Sequence, residues 1–273
     1  MKSLRIATWN VNSLRTRLEQ VVGWLKIHQP DVLCLQETKV ADDLFPHDPL
    51  NAAGYSAAVS GQKKYNGVAL ISRQPLDDLR IGFDGLLEED EEAVALSEQK
   101  RVISGRLGPV RILNVYVPNG ASVGSESYGY KLAWLGCLGR YVATQLEQGE
   151  PLCMVGDFNI APEDRDLHDP QQFKGHIMAS EQEREALQVV LGQDLKDVFR
   201  RFHPEGGHWS WWDYRSGGWR RNQGWRLDHI YLTRRLHDTA KDCWIDRQQR
   251  SLPRPSDHAP VVVELTAAAT TDR

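Results

Sequence analysis

The chain lacks several features that would each define a class of protein. Its 273 residues contain no apolar run near the roughly 18 residues that a membrane span requires. The first five residues lack the apolar segment of a signal peptide. Its four cysteines form no Cys-x-x-Cys pair, which argues against a zinc site or a disulfide framework. These absences predict a cytoplasmic protein without a membrane partner, in which Cys34 and Cys153 are core residues.

A large excess of one charge is also absent. With 33 Lys and Arg against 37 Asp and Glu, the formal net charge is −4. This value excludes a globally basic nucleic-acid coat and a strongly acidic disordered chain. The charge is unevenly distributed, because residues 200–254 hold six of the nine tryptophans and eleven Arg with one Lys against six acidic residues. This basic, aromatic-rich stretch predicts a polyanionic partner without indicating any sequence preference.

Several enzyme motifs are missing. The chain has no G-x-x-x-x-G-K-[ST], no G-x-G-x-x-G and no H-E-x-x-H, so P-loop and zincin chemistry are unsupported. Residues 120–124 match the G-x-S-x-G nucleophile elbow, which needs a strand that feeds straight into the turn and then a helix. Here Pro118 and Asn119 intervene and a long loop follows, so we reject a serine hydrolase.

Short apolar runs alternate with segments of helical periodicity. The helical spacing from Leu14 to Leu25 predicts a helix capped by Ser13, and two more helices are predicted over 130–147 and after a capping box at Ser180. Strands are predicted at 4–9, 31–36, 67–72, 101–107, 110–117, 152–156, 209–212, 226–232 and 259–265. Strands buried on both faces that alternate with helices predict an α/β fold with two packed sheets and outer helices.

Polar side chains stand where these buried strands end or begin. They are Asn10, Asn12, Glu37, Lys39, Asn119, Asp157, Asn159, Asp228, Asp257 and His258. Taken singly, such residues are often helix caps or turn residues. Glu37 and Asp157 are harder to explain in this way, because each follows an apolar run where an ionised carboxylate is costly unless paired or bound to a metal.

Strand ends are also where α/β folds build their sites, and oxygen ligands suit Mg²⁺ or Mn²⁺. Glu37 and Asn10 are therefore the first candidates for a metal site, and a buried hydrogen-bonded pair is the alternative. His258, beside Asp257 and with Asp228 as a further acid, is a candidate imidazolium or acid–base group.

Seven sequence blocks occur in a fixed order. They are residues 9–15 (WNVNSLR), 35–39 (LQETK), 116–120 (YVPNG), 156–162 (GDFNIAP), 211–215 (WWDYR), 224–228 (GWRLD) and 256–260 (SDHAP). In these blocks the chain resembles the exonuclease III family of apurinic/apyrimidinic endonucleases, within the endonuclease/exonuclease/phosphatase fold. The resemblance runs from Arg5 to about Leu265.

This resemblance implies a four-layered α/β sandwich of two mixed sheets flanked by helices. It implies one endonuclease/exonuclease/phosphatase domain over residues 1–265, with a flexible tail over 266–273, acting as a monomer. The implied reaction is Mg²⁺-dependent hydrolysis of the phosphodiester 5′ to an abasic site in double-stranded DNA, with 3′→5′ exonuclease and 3′-end-repair activity. Mn²⁺ is expected to substitute for Mg²⁺.

By the same resemblance, each motif residue acquires an expected role. The expected metal shell is Asn10, Glu37, Asp157, Asn159, Asp257 and His258. The expected catalytic residues are Tyr116, Asp157, Asn159, Asp228 and His258. Asp157 would orient or deprotonate the attacking water, and His258, oriented by Asp228, would stabilise the charge on the phosphate. Tyr116 would contact the phosphate or act as a proton source.

The expected contacts to DNA come from a second group of residues. They are Asn12, Lys39, Asn119, Trp211, Arg215, Trp225, Arg226 and Leu227. Trp211, Trp225 and Leu227 would line an apolar pocket for a base-free sugar turned out of the duplex. Ordinary core packing of these rings is the alternative for each tryptophan.

Two other functions stay open at this point. One is a phosphatase of the same fold that acts on a phospholipid or inositol phosphate, against which the Trp- and Arg-rich block argues. The other is a catalytically inactive nucleic-acid-binding regulator. Relatives of that kind lack the acidic motifs, whereas Glu37, Asp157 and Asp228 are present here.

Overall fold

The computed structural model describes residues 3–83 and 90–266, which form two packed six-stranded sheets. The first sheet has the order β11–β12–β1–β2–β4–β3, and its strands are β1 (Ser3–Asn10), β2 (Val32–Gln36), β3 (Ser56–Ser60), β4 (Val68–Ser72), β11 (Ala240–Ile245) and β12 (Val261–Thr266). The second has the order β5–β6–β7–β8–β10–β9, with β5 (Asp77–Ile81), β6 (Val102–Leu107), β7 (Val110–Tyr116), β8 (Leu152–Asp157), β9 (Leu195–Asp197) and β10 (Asp228–Thr233). In each sheet one central pair is parallel, β1 with β2 and β7 with β8, and the other described pairs are antiparallel.

Eight α-helices flank the two sheets in the described residues, and the three longest cover the outer faces. The eight helices are α1 (Leu14–His28), α2 (His47–Ala52), α3 (Glu91–Ser97), α4 (Glu126–Glu147), α5 (Glu181–Leu191), α6 (Val198–Phe202), α7 (Gly218–Arg221) and α8 (Arg234–Asp238). Trp24 of α1 packs with Trp9 on the first sheet, and Leu138 of α4 packs with Met154 on the second. The predicted four-layered sandwich is therefore confirmed. None of the described helices is long and apolar enough to cross a membrane.

The inner faces of the two sheets share one apolar core. Ile6 and Val263 from the first sheet pack with Ile112 and Val155 from the second, and all four side chains are fully buried. Cys34 and Cys153 lie in the same cluster as free thiols, and burial raises the pKa of both. Both cysteines are core residues, as predicted.

The capping box at the start of α5 is confirmed, but the cap predicted for α1 is not. Ser180 Oγ accepts the N–H of Glu183 at 3.3 Å, and Glu183 accepts the N–H of Ser180 at 3.1 Å. Ser13 holds the N-cap position of α1 with a φ of 92°, and its hydroxyl makes no capping bond there. In that conformation the hydroxyl instead contacts Thr16 Oγ1 at 3.1 Å.

Three predicted boundaries are corrected. Residues 209–212 are not a strand. Trp211 forms one isolated bridge with Trp225 and another with His258, and the segment does not pair with either neighbour over consecutive residues. Strand β10 begins at Asp228, two residues later than predicted. Thr266 ends β12 where the tail was expected to start, and 267–273 lie outside the described residues.

Candidate active site

The polar strand ends of both sheets meet at one edge of the sandwich. Asp157 ends β8 and lies between Tyr116 of β7 and Asp228 of β10 in register. Asn10, which ends β1, donates to Asp157 Oδ2 across the two sheets at 2.8 Å. The close approach of β7 and β8 requires glycine just before the carboxylate, because a Cβ on Gly156 would lie 1.9 Å from the carbonyl oxygen of Val115.

The Asn10 amide joins two carboxylates. Its Nδ2 donates to Glu37 Oε1 at 2.9 Å as well as to Asp157 Oδ2, and its Oδ1 accepts the backbone N–H of Asn12 at 2.9 Å. The Asn10 amide therefore positions Glu37 and Asp157. Its Oδ1 accepts one hydrogen bond and has a second lone pair, so the expectation that Asn10 is a metal ligand stays a prediction.

A line of ionisable groups runs from Asp228 through His258 to Asp157. His258 Nδ1 lies 2.8 Å from Asp228 Oδ2, and its Nε2 lies 3.8 Å from Asp157 Oδ2. Burial alone would lower the pKa of His258, but the charges of Asp228 and Asp157 outweigh it and raise this pKa to about 10. With this pKa His258 carries a positive charge at neutral pH. The ligand atoms of Asp157, Asp228 and His258 also lie close enough together to hold a metal ion, so the metal role of His258 stays a prediction.

Asp157 is buried, and its carboxylate oxygens still accept hydrogen bonds from neighbouring residues. Burial raises its pKa to about 7, and the repulsion from Asp228 adds to this while the positive charge of His258 opposes it. Its Oδ1 accepts the backbone N–H of Asn159 at 2.9 Å. A carboxylate that titrates near neutral pH and is held by fixed donors has the properties of a general base.

A second polar chain contains the oxygen atoms that suit a metal ion. Lys39 Nζ lies 2.7 Å from Glu37 Oε2 and 2.6 Å from Asn12 Oδ1. Asn12 Nδ2 donates to Asp257 Oδ1 at 2.9 Å. Because an ammonium already lies between the Glu37 and Asn12 oxygens, these donors are oriented toward a cation, and their chemistry fits a hard divalent ion.

A further contact fixes Asp257 in this part of the site. Trp211 Nε1 donates to the other carboxylate oxygen of Asp257 at 3.1 Å. The pKa of Asp257 stays below its usual value, since the charge of His258 and the hydrogen bonds from Asn12 and Trp211 outweigh burial. Asp257 is therefore an anion, and its place in a metal shell stays a prediction.

The Tyr116 phenol faces the same carboxylates. Burial raises its pKa well above the usual value, and the charges of Glu37 and Asp157 raise it further. The Arg101 guanidinium lies 4.6 Å from the ring centre. Tyr116 thus stays protonated at neutral pH, and its expected role as a donor to the phosphate stays a prediction.

Asn119 and Asn159 belong to one hydrogen-bonded unit. Asn159 Nδ2 donates to the carbonyl of Val117 at 3.0 Å and lies 3.3 Å from Asp157 Oδ2, and its Oδ1 accepts from Asn119 Nδ2 at 3.3 Å. The Asn159 amide thus contacts Asp157, and its expected role as a metal ligand stays a prediction.

Sequence reasoning missed the residue that holds both asparagine loops. Lys131 of α4 is 0% exposed, and its Nζ donates to the backbone oxygens of Asn119 at 3.2 Å and Asn159 at 2.7 Å. The same Nζ lies 2.5 Å from Glu183 of the capping box. Lys131 lies in a helix between apolar residues, and nothing in that pattern distinguishes it from a surface lysine.

An aromatic cavity of about 360 Å³ opens beside this centre. It is lined by His168, Gln172, Phe173, Trp211, Asp213, Ser216, Arg221, Gln223 and Trp225. Trp211 and Trp225 lie edge to face with ring centres 5.9 Å apart, and Phe173 packs 4.8 Å from Trp225. Leu227 is 1% exposed and lies in the apolar cluster behind Trp225. His168 and Phe173 were not predicted, because they lie in a polar loop without periodicity.

The two predicted arginine contacts differ in position. Arg215 is exposed, as a phosphate contact requires. Arg226 is 1% exposed, with Nε 2.6 Å from Asp166 and Nη2 2.7 Å from Asp197, and Nη1 contacts His229. The prediction that Arg226 contacts DNA is therefore wrong, because its guanidinium is neutralised inside the protein.

The loops that carry the site have unusual backbone conformations. Positive φ values occur at Asn12 (42°), Glu37 (52°), Lys39 (53°) and Asn159 (48°). Asparagine tolerates this region, whereas Glu37 and Lys39 stay there at a cost of roughly 1–3 kcal/mol each. Backbone bonds compensate, since Ser13 donates to the carbonyl of Glu37 at 2.8 Å.

Comparison with known proteins agrees with this arrangement. Residues 7–258 match the Endonuclease/Exonuclease/phosphatase family, and the chain belongs to this family. Exodeoxyribonuclease III of Haemophilus influenzae is 33% identical over 96% of this chain and 100% of its own length.

Solved structures show the same likeness. The 3′ phosphatase NExo from Neisseria, bound to a product DNA hairpin, superposes with a TM-score of 0.90 at 40% identity and covers 96% of this chain and 99% of its own. An AP endonuclease from Archaeoglobus fulgidus gives 0.88 at 38% identity, over 95% of this chain and 98% of its own.

Proposed function

We propose that this chain is a Mg²⁺-dependent DNA-repair nuclease, for which Mn²⁺ can replace Mg²⁺. It hydrolyses the phosphodiester 5′ to abasic sites in double-stranded DNA and acts on 3′ ends as an exonuclease and repair enzyme. The observation that carries the proposal is the Asn10 amide, which holds Glu37 and Asp157 together across two sheets at 2.9 and 2.8 Å. The exodeoxyribonuclease and AP endonuclease relatives support it.

Glu37 would hold the metal, with Asn12 and Asp257 as the neighbouring oxygen donors. When bound, the ion supplies positive charge that stabilises the phosphate as negative charge accumulates on its oxygens. Lys39, which now contacts Glu37 and Asn12, would turn to a DNA phosphate.

The chain's own residues account for the proton transfers. Asp157, as the carboxylate, takes a proton from the water whose oxygen attacks phosphorus. The His258 imidazolium donates a hydrogen bond to a phosphate oxygen, and Asp228 keeps it charged and oriented. Tyr116 donates its hydrogen bond to the phosphate or its proton to the departing 3′ oxygen. Asn119 would bind the DNA strand beside Asn159.

The aromatic cavity supports a preference for damaged DNA. Trp211 and Trp225 form two walls of a space of about 360 Å³ next to Asp257. A deoxyribose without a base can enter such an apolar space, whereas a normal nucleotide is excluded by the size of its base. Arg215 and Arg221, both exposed at this edge, are positioned for phosphates.

The competing functions have less support. An inactive regulator would not need a buried carboxylate with a raised pKa beside His258, because shifted pKa values of this kind cluster at functional sites. A phosphatase for inositol phosphates needs no cavity walled by two tryptophans. The sequence-based expectations of a single domain, a cytoplasmic location and a monomer belong to the same proposal.

The test is a cleavage assay with purified protein. The substrates are an abasic duplex, a 3′-recessed duplex, a duplex with a 3′ phosphate and an inositol phosphate, each with Mg²⁺ and with EDTA. We expect the three DNA substrates to be processed only with Mg²⁺. Robust cutting in EDTA would refute the metal role, and turnover of inositol phosphate alone would refute the DNA substrate.

Variants locate the activity. Glu37→Ala and Asp157→Asn should abolish abasic-site incision while duplex binding is largely retained, with a loss of about 10²–10⁴-fold expected for the base alone. Asp48→Asn, an exposed acid on α2, is the matched control and should cleave like the parent chain. Equal cleavage by Asp157→Asn and the control would remove Asp157 from the mechanism.

A further inference from the structure

Three side chains outside the active centre bring metal-binding atoms together. His208 Nε2 lies 2.7 Å from Glu205 Oε1, and His203 Nδ1 lies 3.8 Å from the same oxygen. One atom from each of the three residues fits within 4.8 Å of the others. We propose that His203, Glu205 and His208 form a second metal site that binds a divalent transition-metal ion of the Zn²⁺ type.

The hydrogen bonding of His203 prepares one ligand. Its Nε2 lies 2.9 Å from the backbone oxygen of Cys243, and a carbonyl can only accept, so the proton is on Nε2. The other nitrogen, Nδ1, faces Glu205 with its lone pair free. Metal-binding histidines commonly donate their second N–H to a backbone carbonyl, which fixes the tautomer and the ring orientation.

Ring packing fixes both imidazoles. The ring of His203 stacks on Phe199 with centres 4.5 Å apart, and the ring of His208 meets Phe199 edge-on at 5.5 Å. Phe199 itself is 1% exposed and belongs to the core between the sheets. The two imidazoles are therefore supported by the core and need little reorganisation to bind an ion.

Two arginines outside the loop of residues 203–208 also hold its backbone. Arg200 Nη1 donates to the carbonyl of His203 at 3.0 Å and to that of Glu205 at 2.6 Å, and Arg165 donates to the carbonyl of Pro204. Gly207 has a φ of 89°, which brings His208 back toward Glu205 at no steric cost. The hydrogen bonds to three successive carbonyls, together with the turn at Gly207, thus preorganise the three ligands for an ion.

The donor set indicates the type of ion. Two imidazole nitrogens and one carboxylate oxygen are the ligands of Zn²⁺ and related ions, whereas Mg²⁺ prefers oxygen alone. The side chains are 29%, 59% and 34% exposed, so water can complete the coordination. The ion would replace the proton now shared by His208 and Glu205, and the His208 imidazole would then carry its proton on Nδ1.

The test is a calorimetric titration of the full chain with Zn²⁺ in excess Mg²⁺, which occupies the oxygen-rich active centre. His208→Gln and Glu205→Gln should each weaken Zn²⁺ binding by at least about tenfold. His47→Gln, at a half-buried histidine on α2, is the matched control and should bind like the parent chain. Circular dichroism confirms that each variant is folded.

The active centre must be excluded as the source of the signal. Glu37→Gln, which removes the principal oxygen ligand there, should leave this Zn²⁺ affinity unchanged. Parent-like affinity in both His208→Gln and Glu205→Gln would overturn the proposal. Loss of the signal in Glu37→Gln alone would also overturn it, because the ion would then be bound at the active centre.

Discussion

Lys131 Nζ lies 2.5 Å from Glu183 Oε1, and both side chains are 0% exposed. The pair connects α4 and α5 behind the active site, and the same ammonium donates to the backbones of Asn119 and Asn159. A helix cap and two catalytic loops therefore depend on one buried charge. Burial lowers the pKa of Lys131, and the charge of Glu183 opposes this shift.

Lys131→Met should destabilise the protein by about 3–5 kcal/mol, because it leaves the Glu183 carboxylate buried without its partner. Urea unfolding measures the change, and kcat on abasic duplex should fall as the loops loosen. The double variant Lys131→Met/Glu183→Gln should lose less stability than the two single variants combined. Additive losses would show that the two residues do not interact, and the exposed Lys63→Met is the control.

The pKa values of Asp157 and His258 predict a bell-shaped pH profile. The proposed mechanism needs Asp157 without its proton and His258 with its proton. kcat/KM should therefore rise as pH passes the Asp157 pKa of about 7 and fall as pH passes the His258 pKa of about 10. Steady-state kinetics on an abasic duplex across both limbs measures these values.

Asp228→Asn tests the cause of this profile. Removing the Asp228 charge should lower the pKa of both Asp157 and His258, because that charge raises both. Both limbs should move to lower pH, in addition to a lower kcat/KM. An alkaline limb that stays in place would show that Asp228 does not control the charge of His258.

Arg215 and Arg226 should respond in opposite ways to substitution. Arg215→Ala should weaken duplex binding and reduce the salt dependence of log K by about one, since an exposed cation releases counterions from DNA. Arg226→Ala should instead lower the free energy of unfolding by about 3–5 kcal/mol, because Asp166 and Asp197 lose their partner. Fluorescence anisotropy at several salt concentrations and urea unfolding separate the two effects. A large binding defect in a stable Arg226→Ala variant would restore the original prediction.

The walls of the cavity should determine selectivity. The double variant Trp211→Ala/Trp225→Ala should discriminate less well between abasic and intact DNA, by about 30-fold or more if each ring contributes at least about 1 kcal/mol to excluding a base. Competition cleavage measures the ratio. Trp244→Ala, a half-buried ring on β11 outside the cavity lining, is the control. Unchanged selectivity in the double variant would mean that the two rings serve packing alone.

Local patterns were sufficient for much of the fold. The apolar runs predicted strands β1, β2, β4, β6 and β7 to within about one residue at each end. The Ser and Glu side chains three residues apart predicted the capping box at Ser180. The short edge strand β3 was not predicted, because its residues are mostly half-buried and alternate weakly. The segment around Trp211 was mistaken for a strand, since aromatic residues favour strands even when long-range contacts place them otherwise.

The sequence by itself determined the layered α/β architecture and the identity of the groups at the strand ends, because periodicity and ordered motifs are properties of neighbouring residues. Only the tertiary structure decided which of those groups touch. It turned the Asn10 amide toward two carboxylates, buried Arg226 and made Lys131 the support of two loops. Their hydrogen-bond partners lie far along the chain, since Asp157 is 147 residues from Asn10 and Asp166 is 60 residues from Arg226, so no local pattern contains them.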